Sequence, residues 1–224
     1  GLITRRLDDI ALLRAVLLGC KPETIAALPR PPRVGLCRTF LWDQTQPESQ
    51  QAVEDAAAAL RAAGISVTDV SLPAHFADLL PAHRFIDCRE RAMAMAHEWN
   101  FHRAGLSPAL RERLQEGLDA PYTSYRDGLK LGEQCRAELP SVFGDCDVLL
   151  APTAKGEAPK GLGSTGDPNW QAFWTLLHVP TITLPTSTSG NGLPVGIQLI
   201  ARRNQDEALL SAADFVWERL RPKH

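Results

Sequence analysis

Two stretches decide the fold: Asp147-Val148-Leu149-Leu150-Ala151-Pro152-Thr153 and Pro194-Val195-Gly196-Ile197-Gln198-Leu199-Ile200. Each is a short aliphatic run bounded by turn residues, the pattern of a strand buried within a sheet. Between them lie a Gly/Pro/Lys loop, a short Trp-rich helix and a further strand, Thr181-Ile182-Thr183-Leu184-Pro185. Ser189-Gly190-Asn191-Gly192 is a tight-turn signal, so this strand and the last are expected to form a hairpin or to lie as close neighbours. In the last strand Val195, Ile197 and Leu199 fall on one face, Gly196, Gln198 and Ile200 on the other. Loops that follow such strands are where α/β proteins present substrates, so function is expected to concentrate here.

Upstream, Arg33 to Cys37 reads as a short strand and Ile65 to Leu72 as another. The helix between them carries Val53, Ala56, Ala57 and Leu60 on one stripe and stops at Gly64. Thr45-Gln46-Pro47-Glu48 has the spacing of a capping box. Strand, helix, strand is a βαβ unit, which predicts parallel strands and a right-handed crossover. Before it, Leu7 to Leu18 is apolar nearly all round, which predicts a helix buried on most sides and stopped by Gly19. Pro22, Pro29, Pro31 and Pro32 make the best candidate for a boundary between sub-structures. Phe76 to Phe143 is helical, broken by Pro81, Gly105, Pro108 and Pro121; Arg84 to Phe101 and Ser124 to Phe143 are its longest segments. At the far end Asn204-Gln205-Asp206-Glu207 is a second capping signal. It opens a helix whose inner face is Leu209, Leu210, Ala213, Val216, Trp217 and Leu220. The expected architecture is α/β, a mixed β-sheet covered by helices, in one domain over 1–224. Within it, 1–32 is a helix and Pro-rich link, 33–72 the βαβ unit, 73–146 a helical segment, and 147–224 the strands, loop and terminal helix.

Composition excludes several classes of function. A net charge of −2 provides no basic face, which argues against a nucleic-acid partner. The longest apolar run, Leu12 to Cys20, is interrupted by Arg14 and falls short of the roughly 20 residues that span a bilayer. No secretory signal is visible at Gly1-Leu2-Ile3-Thr4-Arg5-Arg6. Five irregularly spaced cysteines (Cys20, Cys37, Cys88, Cys135, Cys146) read as reduced thiols, which points to the cytoplasm.

The obvious motifs do not support chemistry. Gly161-Leu162-Gly163-Ser164-Thr165-Gly166 matches GxGxxG in letters. A dinucleotide site needs those glycines directly between a strand and a helix, and the nearest strand ends at Thr153. It reads as a loop. His97 and His102 are five positions apart, so on one helix they diverge by about 140° and are not expected to share a metal. The cysteines form no CxxC pair and default to inert buried thiols. Lys155 and Lys160 flank the Pro-bounded loop and are expected to be solvated rather than basic catalysts. His178 falls at a helix end just before a strand, either capping the negative end of that helix or facing substrate. No cofactor and no metal site is expected, and no side chain is assigned a catalytic role.

Taken together, the Asp147–Thr153 strand, Val179-Pro180-Thr181-Ile182-Thr183-Leu184-Pro185 and Gly192-Leu193-Pro194-Val195-Gly196-Ile197-Gln198-Leu199-Ile200 closely resemble the amidase signature family. They are similar to its "D-V-L-L-x-P-T", "G-x-P-A-x-x-x-P" and "G-L-P-V-G-x-Q-L-I-G" segments. Gly1-Leu2-Ile3-Thr4-Arg5-Arg6-Leu7-Asp8-Asp9 resembles the family's "G-P-(M/I)-(T/A)-R-(S/T)-(V/L)-x-D" run. Arg33 to Leu72 follows its next strand–helix–strand. The sequence departs from the pattern at Leu2, where Pro is usual, at His178, a position often Gly, and at Ala201, which replaces the last Gly.

The resemblance implies an incomplete amidase-signature-type fold and hydrolysis of a carboxylic amide C–N bond. That family uses a serine nucleophile, a second serine in a cis peptide bond and a lysine base, all upstream of the position matched by Gly1. The chain therefore looks like the C-terminal portion of an amidase, inactive alone. Its small-molecule amide substrate would be taken only when the missing half completes it. Pro152, Thr153, Ala154, Trp174 and His178 are the residues expected to face substrate. An alternative is a non-catalytic binding or interaction protein on the same scaffold; an independent enzyme using Cys–His or Lys chemistry is the third reading. Open sheet edges predict a homo-oligomer or a partner chain that covers them.

Overall fold

A computed structural model of the chain describes residues 1–221. They form two compact units. One comprises Gly1–Leu72, Leu139–Gln171 and the described residues from His178 onward; the other comprises Pro73–Glu138 and Ala172–Leu177. The Pro-rich link therefore lies inside the first unit rather than at a boundary.

The first unit is built on a five-stranded sheet. Its strands are β1 (Val34–Leu36), β2 (Val67–Asp69), β3 (Val148–Pro152), β4 (Thr181–Thr188) and β5 (Pro194–Ile200), in the order β2-β1-β3-β5-β4. β1 pairs in parallel with β2 and with β3, as the βαβ reading requires. β5 runs antiparallel to β3 and β4, closing the expected hairpin and making the sheet mixed. Helix α1 (Leu7–Leu18) precedes the sheet, α2 (Pro47–Ala62) is the crossover and α8 (Asp206–Leu220) follows the last strand. One continuous core joins Val34, Leu36, Val148, Leu150, Val195, Ile197 and Leu199 to Val53, Leu60, Leu209 and Val216 of α2 and α8. β3 is buried along its whole length, which explains its unbroken aliphatic sequence.

Three local expectations fail, each for a physical reason. Thr45 does not cap α2. Pro47 occupies the first turn, which moves the cap position to Gln46, and no side chain bonds the free amides. The Thr45 hydroxyl instead donates to the Leu41 carbonyl (2.9 Å) and accepts from the buried Trp170 indole N–H (3.0 Å). α8 likewise starts without a side-chain cap; Asp206 and Glu207 complement its dipole instead. Finally, α1 is not buried on most sides. Ala15 is buried, but Leu12, Leu13, Val16, Leu17 and Leu18 stand exposed. Gly19 does stop that helix, in a left-handed conformation with its N–H bonded to the Val16 carbonyl (3.2 Å).

The second unit is helical, with α3 (Leu79–Ala94), α4 (Ala96–Phe101), α5 (Pro108–Asp119) and most of α6 (Tyr122–Phe143). α3 and α5 approach so closely at Gly117 that a Cβ there would sit 2.0 Å from the Cys88 carbonyl oxygen. Arg84 clamps Glu116 with two bonds of 2.6 and 2.7 Å across the same pair. The His97 and His102 rings, expected to diverge, lie 5.2 Å apart, because α4 ends at Phe101 and His102 leaves the helix. No group of three or more metal-ligating side chains forms among the described residues.

Candidate functional site: the loop after the third strand

Parallel β1 and β3 end on the same edge of the sheet, where α/β folds place their ligands. The chain leaves β3 there through Thr153, Ala154 and Lys155, and contacts from three directions fix its path. Gln198 of β5, fully buried, donates its side-chain amide to the Pro152 carbonyl (2.8 Å) and to the Trp170 carbonyl (3.3 Å). Gln171 of α7 (Asn169–Leu176) donates to the next carbonyl, that of Thr153 (2.7 Å), and to its hydroxyl (3.3 Å). The Thr153 hydroxyl shares a 2.7 Å hydrogen bond with that of Thr183. The Lys155 carbonyl accepts from the Gln46 backbone N–H at the start of α2 (2.6 Å). Beyond it, Glu157 is bound by Ser189 and, at 2.6 Å, by Asn191 of the β4–β5 turn.

Register explains the arrangement. Gln198 is paired with Ala151 on one side and Thr183 on the other, so these three share one face of the sheet. Thr153 lies two residues beyond Ala151 on the same side, within reach of Thr183. Gly156 packs against the end of the Gln46 side chain, which would have to move to admit a Cβ there. Two successive carbonyls held by side-chain amides from different elements make a backbone that cannot easily shift.

Of the residues expected to face substrate, Pro152 is buried at the end of β3 and Thr153 and Ala154 are half-buried in the loop. His178 is exposed, with φ of 55°, a conformation costly for any residue with a Cβ and natural to glycine. Trp174 is 1% exposed, its ring 4.5 Å from that of Phe173, and its indole N–H has no acceptor among the described residues. Gln198, Gln171, Thr183, Trp170 and Thr45 do not stand out as site residues in the sequence. One signal did point to Gln198, a polar residue inside a strand otherwise aliphatic enough to be buried.

Three buried thiols are unsuited to nucleophilic attack. Burial pushes the Cys37 thiol up to about 12 and the Cys135 thiol to about 11, and raises that of Cys88, the opposite of an activated thiolate. Ser189 donates to Glu157, but its oxygen also accepts from the Leu193 amide of its own turn (3.2 Å), a turn-stabilising arrangement. Lys155 and Lys160 are exposed. The 161–166 loop is exposed apart from its half-buried last residue and forms no strand–helix junction.

Residues 1–210 match the family described as Amidase. The chain belongs to the amidase family. A glutamyl-tRNA(Gln) amidotransferase subunit of Thermosynechococcus vestitus is 26% identical over 269 aligned residues, which take in 100% of this chain and 55% of that protein. The same subunit from Roseiflexus castenholzii is 28% identical over 258 residues, taking in 96% of this chain and 52% of its own length. A crystal structure of an amidase superposes with a TM-score of 0.84 at 27% identity, over 97% of this chain and 52% of that one. The chain thus spans about half the length of the curated relatives it matches. No described helix is long and apolar enough to cross a membrane.

Proposed function

We propose that this chain is the C-terminal portion of an amidase that hydrolyses a carboxylic amide C–N bond, and that the reacting groups reside on polypeptide preceding Gly1. The observation that carries the reading is the family match over residues 1–210, in relatives about twice as long as this chain. Amide hydrolysis needs an activated nucleophile and donors for the tetrahedral oxyanion, because resonance makes the carbonyl a poor electrophile. The role of this chain is then to hold one wall of the acyl site rigid. The clamped Pro152-Thr153-Ala154 segment is that wall. His178 faces substrate from the chain entering β4. A small primary or secondary amide is the substrate class, and the compartment is the cytoplasm.

The test is ammonia release from a panel of primary amides, together with labelling by a serine-directed fluorophosphonate. The 224-residue chain alone should show neither. The protein extended upstream through its reading frame should show both. Robust turnover or labelling by the chain alone would overturn the proposal.

A further inference from the structure

The end of the short helix α4 brings two imidazoles together. On a continuous helix, five positions would point His97 and His102 about 140° apart. The helix stops at Phe101 instead, and His102 takes φ of −133° and ψ of 22°. That is far from the helical φ of about −63°. The His102 ring comes back to 5.2 Å from that of His97, with 54° between the two planes. Both residues are exposed, so an ion can reach them from solvent. Neither ring has a hydrogen bond or an ion pair among the described residues, whereas His75 holds Glu138 at 3.1 Å. The neighbouring cation is drawn elsewhere: the Arg103 guanidinium lies 3.9 Å over the centre of the Trp99 ring. Trp99 stands about 200° round the helix from His97, on its other side.

The ring separation matches what one tetrahedral ion imposes. Zinc takes an imidazole nitrogen at about 2.0–2.1 Å, which sets each ring centre about 3.2 Å from the metal. At the tetrahedral angle of about 109°, two such centres stand about 5.2 Å apart. A square-planar ion, with neighbouring ligands at about 90°, would draw them to about 4.5 Å. We propose that His97 and His102 form a zinc site at the end of α4. No group of three or more His, Cys, Asp or Glu forms there among the described residues, so solvent supplies the remaining ligands. The ion has a structural task. A helix of six residues is too short to hold itself by hydrogen bonds alone. One ligand lies inside it and the other just beyond its last residue, so the bound ion pins the final turn. The site lies within the helical unit and is independent of the amidase reading.

The test is calorimetric titration of zinc chloride into the 224-residue chain and into three variants, His97→Gln, His102→Gln and Cys20→Ser. All three positions are exposed, so the variants should fold as the parent does. Outer-shell partners alone are worth about 10–100-fold in metal affinity, so losing either of the two ligands should weaken binding at least tenfold. Cys20→Ser removes the exposed thiol, the competing soft ligand, and should leave the affinity unchanged. Magnesium, which prefers oxygen ligands, should not compete. Saturating zinc should slow amide exchange over Ala96–Phe101 in the parent and in Cys20→Ser, and not in the histidine variants. Zinc affinity that survives either histidine substitution would overturn the site. Loss of binding in Cys20→Ser alone would overturn it in favour of the thiol, and unchanged exchange at saturating zinc would overturn the pinning of α4.

Discussion

The side-chain amide nitrogen of Gln198 lies 2.8 Å from the carbonyl oxygen of Pro152, 46 residues earlier in the chain. That bond, repeated on the Trp170 carbonyl, ties the strand end to the start of α7 from inside the sheet. Replacing Gln198 with Leu should cost about 1–3 kcal/mol, because two buried carbonyls lose their donor while the unpartnered Gln198 Oε1 is removed. Replacing it with Glu should cost more, and increasingly so above the carboxylate range, since a buried charge would face two carbonyl oxygens. Denaturant midpoints across pH measure both. Similar stability of wild type and both variants would show the clamp to be dispensable.

Gly117 should not tolerate alanine. A Cβ at 2.0 Å from the Cys88 carbonyl must push α5 off α3, at a cost of about 2–3 kcal/mol or more. Thermal unfolding followed by helical circular dichroism reads the loss; an unchanged midpoint would mean the two helices are free to separate.

The Arg30 guanidinium, bonded to Asp147 at 2.7 and 2.9 Å, and the Arg33 backbone N–H hold that carboxyl below its usual range. The folded protein therefore binds this proton more weakly than the unfolded chain. The stability it contributes is complete above the unfolded carboxylate value, about pH 4, and is lost as pH falls through the lower folded value. Asp147→Asn should lower stability at neutral pH and flatten the acid limb of the stability curve. An acid limb of undiminished slope in the variant would assign it to other carboxylates.

His178 holds a left-handed backbone that glycine adopts freely. His178→Gly should relieve that strain, offset by the greater freedom of the unfolded chain and by the loss of the imidazole's own contacts, so the net change should stay within about 1 kcal/mol. In the extended enzyme the same change should alter kcat/KM if the imidazole touches substrate. Unchanged kinetics across the amide panel would remove His178 from the site.

Elements defined by local pattern were legible. The aliphatic runs of β3 and β5, the Val53–Leu60 stripe and the Ser189–Gly192 turn name their own conformations, because burial on a strand or helix imposes a fixed period. The caps misled because Thr45 was claimed by an indole 125 residues away, a competitor no four-residue window contains. The histidine pair misled in the opposite sense, since the helix carrying it ends one residue early.

By itself, the sequence determined the α/β class, the parallel βαβ unit, the closing hairpin and the family, all consequences of residue order over short spans. Only the tertiary structure decided that Gln198 and Gln171 brace the strand-end loop and that one face of α1 is left without cover. Both depend on which groups meet across the sheet. A side-chain amide reads as ordinary until the carbonyls around it are buried, and an apolar face reads as core until nothing is found against it.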